Sequence, residues 1–178
     1  MKKKQEIILA GSGGQGLIMG GILLAEAGIS EGKNVVQTQS YGIASRGGFS
    51  SSEVIISRDE IIFQHVEEPD VIVVLTEEAM AKFSHFDTTV IYDSNLVTPR
   101  EGANFFGVPF TQTAFDLGNP ASINIVVLGC MVQLKPVVDP NSLERVIDKK
   151  FKSNRNNEKA LQKGMELGSQ LKEAMTKC

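Results

Sequence analysis

An α/β fold with a mostly parallel sheet and helices on both of its faces is what this sequence predicts, and three observations carry the prediction. Strand-like and helix-like segments alternate through the first half of the chain, so crossovers run successive strands in the same direction. The run Asp70-Val71-Ile72-Val73-Val74-Leu75 is almost continuously apolar and β-branched, as suits a strand covered on both faces. A glycine-rich turn joins the first apolar run directly to a helical pattern, which makes a βα unit.

Glu6-Ile7-Ile8-Leu9-Ala10 is the first strand, and Gly11-Ser12-Gly13-Gly14-Gln15-Gly16 is the turn that follows it. A helix is predicted over 15–31, with Leu17, Ile18, Ile22, Leu23, Ala25 and Ile29 as its apolar positions and Gly32 as its stop. Residues 34–38 read as a second strand, 49–57 as a third beyond a loop rich in Ser and Gly, and 61–63 as a short further strand. After the strand at 70–75 come a short helix over 77–83, a strand over 89–93 and a last strand over 108–113. A helix over 121–134 ends before Pro136, and Asp139-Pro140 supplies an N-cap and a first-position proline for a helix over 141–151.

The final helix, over 157–175, places Leu161, Gly164, Gly168, Leu171 and Met175 on one face. Each glycine in a helix costs about 1 kcal/mol against alanine, so a close approach to a neighbouring backbone is expected as compensation. The charged stretch 149–159 reads as a solvated connection between the last two helices. The sequence has no internal repeat, low-complexity tract or linker, so residues 1–178 are expected to form one Rossmann-like domain.

A chain of 178 residues can bury roughly 70% of the surface it exposes when unfolded, enough for a core without staples. Apolar residues make up 42%, charged residues 22%, and the net charge is −3, which gives no footprint for nucleic acid. Cys130 and Cys178 are the two cysteines, too few for a disulfide framework or for the four thiolates of an iron–sulfur cluster. This usage points to a reducing cytoplasm. The start Met1-Lys2-Lys3-Lys4 with Ala25-Glu26-Ala27 imitates a signal peptide, but the glycine turn breaks the apolar segment that such a peptide needs. No stretch approaches the roughly 20 apolar residues of a membrane span.

Gly11, Gly13 and Gly16 satisfy G-x-G-x-x-G after a strand and before a helix, the context in which helix-start N–H groups attract an anion such as a phosphate. A P-loop would continue with Lys and Ser or Thr, whereas this chain continues Gln15-Gly16-Leu17. An NAD site calls for an acid at the end of the second strand, where the sequence reads Val35-Val36-Gln37-Thr38-Gln39. An anion site, a purely structural tight turn and a dinucleotide site therefore all stand open on these residues.

A second constellation, Tyr41-Gly42-Ile43-Ala44-Ser45-Arg46-Gly47-Gly48, follows the second strand, where α/β sheets form ligand crevices. Arg46 offers a planar charge with five donors between residues that let backbone come close, and a flexible turn with a solvated Arg is the competing reading. His65 and His85 lack metal-pair spacing and read as surface residues, as do Glu67-Glu68 and Glu77-Glu78. No nucleophile–base arrangement is proposed, and no metal site. Asn124 stands out as an amide entering an apolar helix, where burial would require partners.

Together the Gly-x-Gly-Gly-Gln-Gly turn, the helix after it, the Tyr-Gly…Arg-Gly-Gly loop and its strand, Pro69-Asp70-Val71 and the segment 124–129 resemble the gamma subunit of 2-oxoacid:ferredoxin oxidoreductases, over residues 7–168. The resemblance implies CoA-dependent oxidative decarboxylation of a 2-oxoacid to an acyl-CoA, with ferredoxin reduced. It implies thiamine diphosphate and its magnesium between alpha and beta subunits, and iron–sulfur clusters in ferredoxin-like (delta) parts. Under it the isolated chain is inactive, and the Gly11-Ser12-Gly13-Gly14-Gln15-Gly16 turn with Ser45, Arg46, Gly47 and Gly48 faces the catalytic subunits and contacts the phosphates of CoA. The likeness is greatest to the 2-oxoglutarate type, while pyruvate, branched-chain and indolepyruvate versions share the motifs. The alternatives are a free-standing NAD-dependent oxidoreductase and a non-catalytic module that binds CoA or a nucleotide. Obligate assembly would also leave apolar patches exposed on the isolated chain.

Overall fold

The computed structural model of the chain describes residues 3–42 and 47–176. Six strands form one sheet: β1 (Lys4–Ser12), β2 (Asn34–Tyr41), β3 (Phe49–Ser57), β4 (Val71–Val74), β5 (Thr89–Asp93) and β6 (Phe105–Val108). Their order is β2-β3-β1-β4-β5-β6. β1, β4, β5 and β6 run parallel, and β3 runs antiparallel to both of its neighbours. The single reversed strand has a simple cause. Among the described residues no helix separates β2 from β3, and the two pair as neighbouring antiparallel strands, while every parallel neighbour is reached by a longer crossover.

The helices are α1 (Leu17–Ser30), α2 (Glu77–Phe83), α3 (Phe110–Asp116), α4 (Ile123–Leu134), α5 (Pro140–Phe151) and α6 (Arg155–Thr176), with a short 3₁₀ turn at Pro120–Ser122. Alternate strand residues divide the core. Ile7, Leu9, Val54, Ile56, Val71, Val73 and Ile91 pack with α1, α3 and α4 on one face, while Ile8, Ala10, Ile72, Val74, Val90 and Tyr92 pack with α2 on the other. α4 is apolar nearly all round because the sheet lies on one flank and α6 on the other. The close approach expected of the glycines is present there. A Cβ on Gly168 would stand 2.5 Å from the Cys130 carbonyl oxygen, and one on Gly164 would stand 2.9 Å from the Val126 carbonyl carbon.

Three expectations are corrected. The last strand is not 108–113: β6 ends at Val108, and from Pro109 the chain turns into α3, which carries Phe110 fully into the core. Residues 61–63 form no strand. The segment instead crosses the second sheet face, where Glu53 accepts from Val66 N–H at 3.1 Å and the buried Glu6 accepts from Glu67 N–H at 3.2 Å and Glu68 N–H at 2.7 Å. The connection assigned to 149–159 shrinks to 152–154, since α5 runs to Phe151 and α6 begins at Arg155. The Asp139 cap holds as read, its side chain accepting from Asn141 N–H at 2.8 Å.

Candidate functional site

The parallel strands of the sheet point their carboxyl ends to one side, and there the turn after β1 meets the loop before β3. α1 leaves β1 over one sheet face and α2 leaves β4 over the other, so the winding of the sheet reverses between these two strand ends, the usual ligand position in open α/β sheets. Gln15 bridges the two strand ends. Its Oε1 accepts from Ser12 N–H at 2.7 Å, and its Nε2 donates to the Leu75 carbonyl at 3.5 Å.

The glycine pattern follows from two protein amides. A Cβ on Gly11 would collide with Gln15 Oε1 and stand 3.1 Å from Leu17 Cδ1. Gly16 has φ 72°, in the left-handed region that favours glycine, and a Cβ on it would stand 2.8 Å from Asn124 Nδ2. Asn124 has the partners its burial demands: Nδ2 donates to the Gly16 carbonyl at 3.2 Å and Oδ1 accepts from Ile125 N–H at 3.0 Å.

Gly13 N–H donates to the Gly48 carbonyl at 2.9 Å, which joins the two constellations singled out in the sequence. Gly47 and Gly48 thus sit beside the turn, whereas Ser45 and Arg46 lie outside the described residues. With Ser12 and Gly13 N–H engaged inside the protein, the outward surface of the turn is Gly14, where a Cβ would meet nothing within 4 Å, and the start of α1. The first bond of that helix runs from Gly20 N–H to the Gly16 carbonyl at 2.9 Å, so the N–H groups of Leu17, Ile18 and Met19 precede the helical ladder and form the positive end of its dipole.

Charge gathers around this end of the sheet. Lys82, on α2, lies over the Phe49 ring with Nζ 3.5 Å from its centroid, and Phe49 is the register partner of Ser12. Asp93 ends β5 fully buried, and its carboxylate accepts from Asn95 N–H at 3.1 Å, from Thr111 N–H at 3.2 Å and from the Thr111 hydroxyl. It therefore ties together the loops after β5 and β6. Glu77 accepts from Thr98 N–H at 2.5 Å and from Arg100, and these hold its carboxyl below the usual carboxylate range. Asp93 and Lys82 went unread in the sequence. An acid at the end of a buried strand was a signal for the first, while the cation–ring contact joins residues 33 positions apart and left none.

His65 and His85 are exposed, and no group of three His, Cys, Asp or Glu among the described residues could hold a metal ion. Cys130 is buried in α4, which pushes its thiol pKa up to about 12. Open clefts of about 580 to 640 Å³ lie away from the glycine turn, one of them at the amino ends of β4 and β5 between Glu67, Glu68, Asp70, Asp87 and Lys135. Large apolar side chains stand in solvent at Ile62 (79% exposed), Phe63 (66%), Phe115 (67%), Tyr41 (66%) and Ile29 (62%). No helix is long and apolar enough to cross a membrane among the described residues.

Comparison with known proteins places these features in company. The profile of the pyruvate ferredoxin/flavodoxin oxidoreductase family matches residues 6–167. The 2-oxoglutarate synthase subunit KorC of Archaeoglobus fulgidus is 41% identical over 172 residues, covering 94% of this chain and 90% of that protein. Among solved structures, the gamma subunit of a keto/oxoacid ferredoxin oxidoreductase from Geobacter sulfurreducens is 37% identical with a TM-score of 0.78, covering 92% of this chain and 98% of that one. The 2-oxoglutarate:ferredoxin oxidoreductase of Magnetococcus marinus, solved with 2-oxoglutarate, coenzyme A and succinyl-CoA bound, is 27% identical with a TM-score of 0.85. In that case 96% of this chain corresponds to 32% of a longer one.

Proposed function

The chain belongs to the pyruvate ferredoxin/flavodoxin oxidoreductase family, and from that membership we propose that it is the gamma subunit of a cytoplasmic 2-oxoglutarate:ferredoxin oxidoreductase. The observation that carries the reading is the near end-to-end match, at 41% identity, to a 2-oxoglutarate synthase subunit of similar length. The oxidoreductase reaction belongs to the assembly, in which alpha, beta and ferredoxin-like delta subunits are this chain's partners and ferredoxin is the acceptor.

The donor set of the chain suits that division of labour. An iron–sulfur cluster takes four thiolates, and here one of two cysteines is locked in the core as a neutral thiol. No step of electron transfer is assigned to this chain. Thiamine diphosphate and magnesium, which carry the decarboxylation chemistry when bound, belong with partner subunits.

The chain's own part is to hold the phosphate end of CoA. The α1 start and Gly14 present N–H groups and open backbone, the Gly13–Gly48 bond sets Gly48 against them, and Arg46, two residues earlier in the sequence, supplies a planar charge. Gln15 and Asn124 are positioning residues: they fix the glycine turn without needing to touch the ligand. CoA held here by its phosphates would leave its thiol end to the catalytic subunits, where the acyl transfer would take place.

Measuring CoA KM and kcat in the assembled complex with Arg46→Ala tests the site. A KM raised about tenfold or more is expected from loss of a charge-assisted phosphate contact. Unchanged KM and kcat would remove Arg46 from it. Substrate choice is tested separately by comparing kcat/KM for 2-oxoglutarate, pyruvate and branched-chain 2-oxoacids, with 2-oxoglutarate expected to lead.

A further inference from the structure

β2 is the outermost strand at its end of the sheet, and its outer edge meets no other strand among the described residues. An edge of this kind is a template for pairing, and proteins usually blunt it with charge, proline, a bulge or a short strand. β2 has none of these. It is eight residues long, reads Asn34-Val35-Val36-Gln37-Thr38-Gln39-Ser40-Tyr41, carries no charge and no proline, and pairs with β3 in unbroken register.

The register settles which groups face outward. Gly42 N–H donates to the Phe49 carbonyl at 2.7 Å, so Gly42 and, by antiparallel alternation, Ser40, Thr38, Val36 and Asn34 turn their backbone groups toward β3. Val35, Gln37, Gln39 and Tyr41 turn theirs away from the sheet. These same four residues project their side chains on the α1 face, since Val35 is opposite Ile56 and Gln37 opposite Val54.

We propose that this edge pairs with β2 of a second copy of the chain, antiparallel and about a twofold axis at Thr38. A twofold perpendicular to the sheet keeps like faces together, and centring it on Thr38 sets Val35 opposite Tyr41 of the second copy and Gln37 opposite Gln39. Both pairs are then of the kind that exchanges two backbone hydrogen bonds. Tyr41, 66% exposed in the single chain, comes to lie on Val35, and Val35 already touches the last turn of α1, where Gly28 packs on it and Ile29 stands 62% exposed. An isologous contact sets each residue against residues of its own strand, and with no charge on β2 the pairing brings no like charges together. The inference rests on the sheet edge alone and is independent of the CoA site.

Full-length chain carrying Cys178→Ser and Thr38→Cys tests the pairing. At the axis the two engineered residues form a non-hydrogen-bonded pair with Cα atoms about 4.5 Å apart, inside the range a disulfide spans. Gln37→Cys in the same background faces Gln39 and lies about 7–8 Å from its own copy, outside that range. Mild oxidation is expected to link Thr38→Cys chains in pairs on the order of ten-fold faster than Gln37→Cys chains. Wild-type chain is expected to sediment at twice the single-chain mass. Gln39→Pro removes an outward donor while sparing the bonds to β3, so it is expected to sediment as one chain with an unchanged circular dichroism spectrum. Single-chain sedimentation of the wild type, equal cross-linking at both positions, or linkage of the Thr38→Cys chain to a different subunit in the assembled complex would each overturn the proposal.

Discussion

Gly164→Ala is expected to destabilise the chain even though alanine is the better helix former. The Cβ it adds would sit 2.9 Å from the Val126 carbonyl carbon, with the carbonyl oxygen closer still, and 3.1 Å from Cys130 N. Ordinary contact begins at 3.4 Å, so the carbon alone intrudes by 0.5 Å (3.4 − 2.9). Both walls are helix backbone, and no side chain can swing aside, so α4 and α6 must part along a seam that buries Leu161 against Val126 and its neighbours. Overpacking of this kind costs up to about 3 kcal/mol. Helix propensity returns about 1 kcal/mol, leaving a net loss near 2 kcal/mol. For a domain of this size that lowers Tm by about 4–8 °C. Thermal unfolding of full-length chain followed by circular dichroism reads it, with exposed Lys163→Ala as a control expected to change stability by less than about 0.5 kcal/mol. An unchanged or raised Tm for Gly164→Ala would refute the close-packing account.

Three further outcomes are expected. Gln15→Ala removes the link between Ser12 and Leu75 and should raise CoA KM in the assembled complex with stability lowered by about 1–2 kcal/mol, while Gln15→Glu, which keeps the acceptor for Ser12 N–H, should recover part of the stability in urea unfolding. Cys130 should resist thiol reagents in the folded chain and react only on unfolding, and its thiol should favour the folded state fully below the usual thiol pKa of 9.0, with that contribution lost as pH rises toward about 12, read as the pH dependence of urea unfolding compared with Cys130→Ala. Lys4→Met strips the buried Glu6 carboxylate of its cation; Lys4 is about half exposed, so a loss of about 1 kcal/mol is expected in urea unfolding, present in full below the usual lysine pKa of 10.5 and vanishing as pH rises through the raised one.

The elements legible in the sequence are those whose signals are local. The β1-turn-α1 unit, β4 and β5 announced themselves by unbroken apolar runs, and α5 by its Asp139-Pro140 start. The segment 108–113 misled because Val, Phe and Thr favour strands, yet Pro109 sits where a helix can begin and burial of Phe110 decides for α3. Residues 61–63 are apolar and β-prone like a short strand, but two carboxylates on distant strands hold the backbone that follows them. The glycine turn shows the limit best. Its pattern was plain, but the reason for Gly11 and Gly16 lies in Gln15 reaching Leu75, 60 residues on, and in Asn124, 108 residues from Gly16. Spacing alone could not tell a ligand cradle from a turn built around two amides.

The most direct test of the account is ferredoxin reduction measured with 2-oxoglutarate and CoA, using the purified alpha, beta and delta subunits with and without this chain, beside the chain alone. Activity is expected to need the complete set, with none from the chain by itself and no nicotinamide bound to it. Oxidation of a 2-oxoacid by the chain unaided, or full CoA-dependent activity of the other subunits without it, would contradict the account.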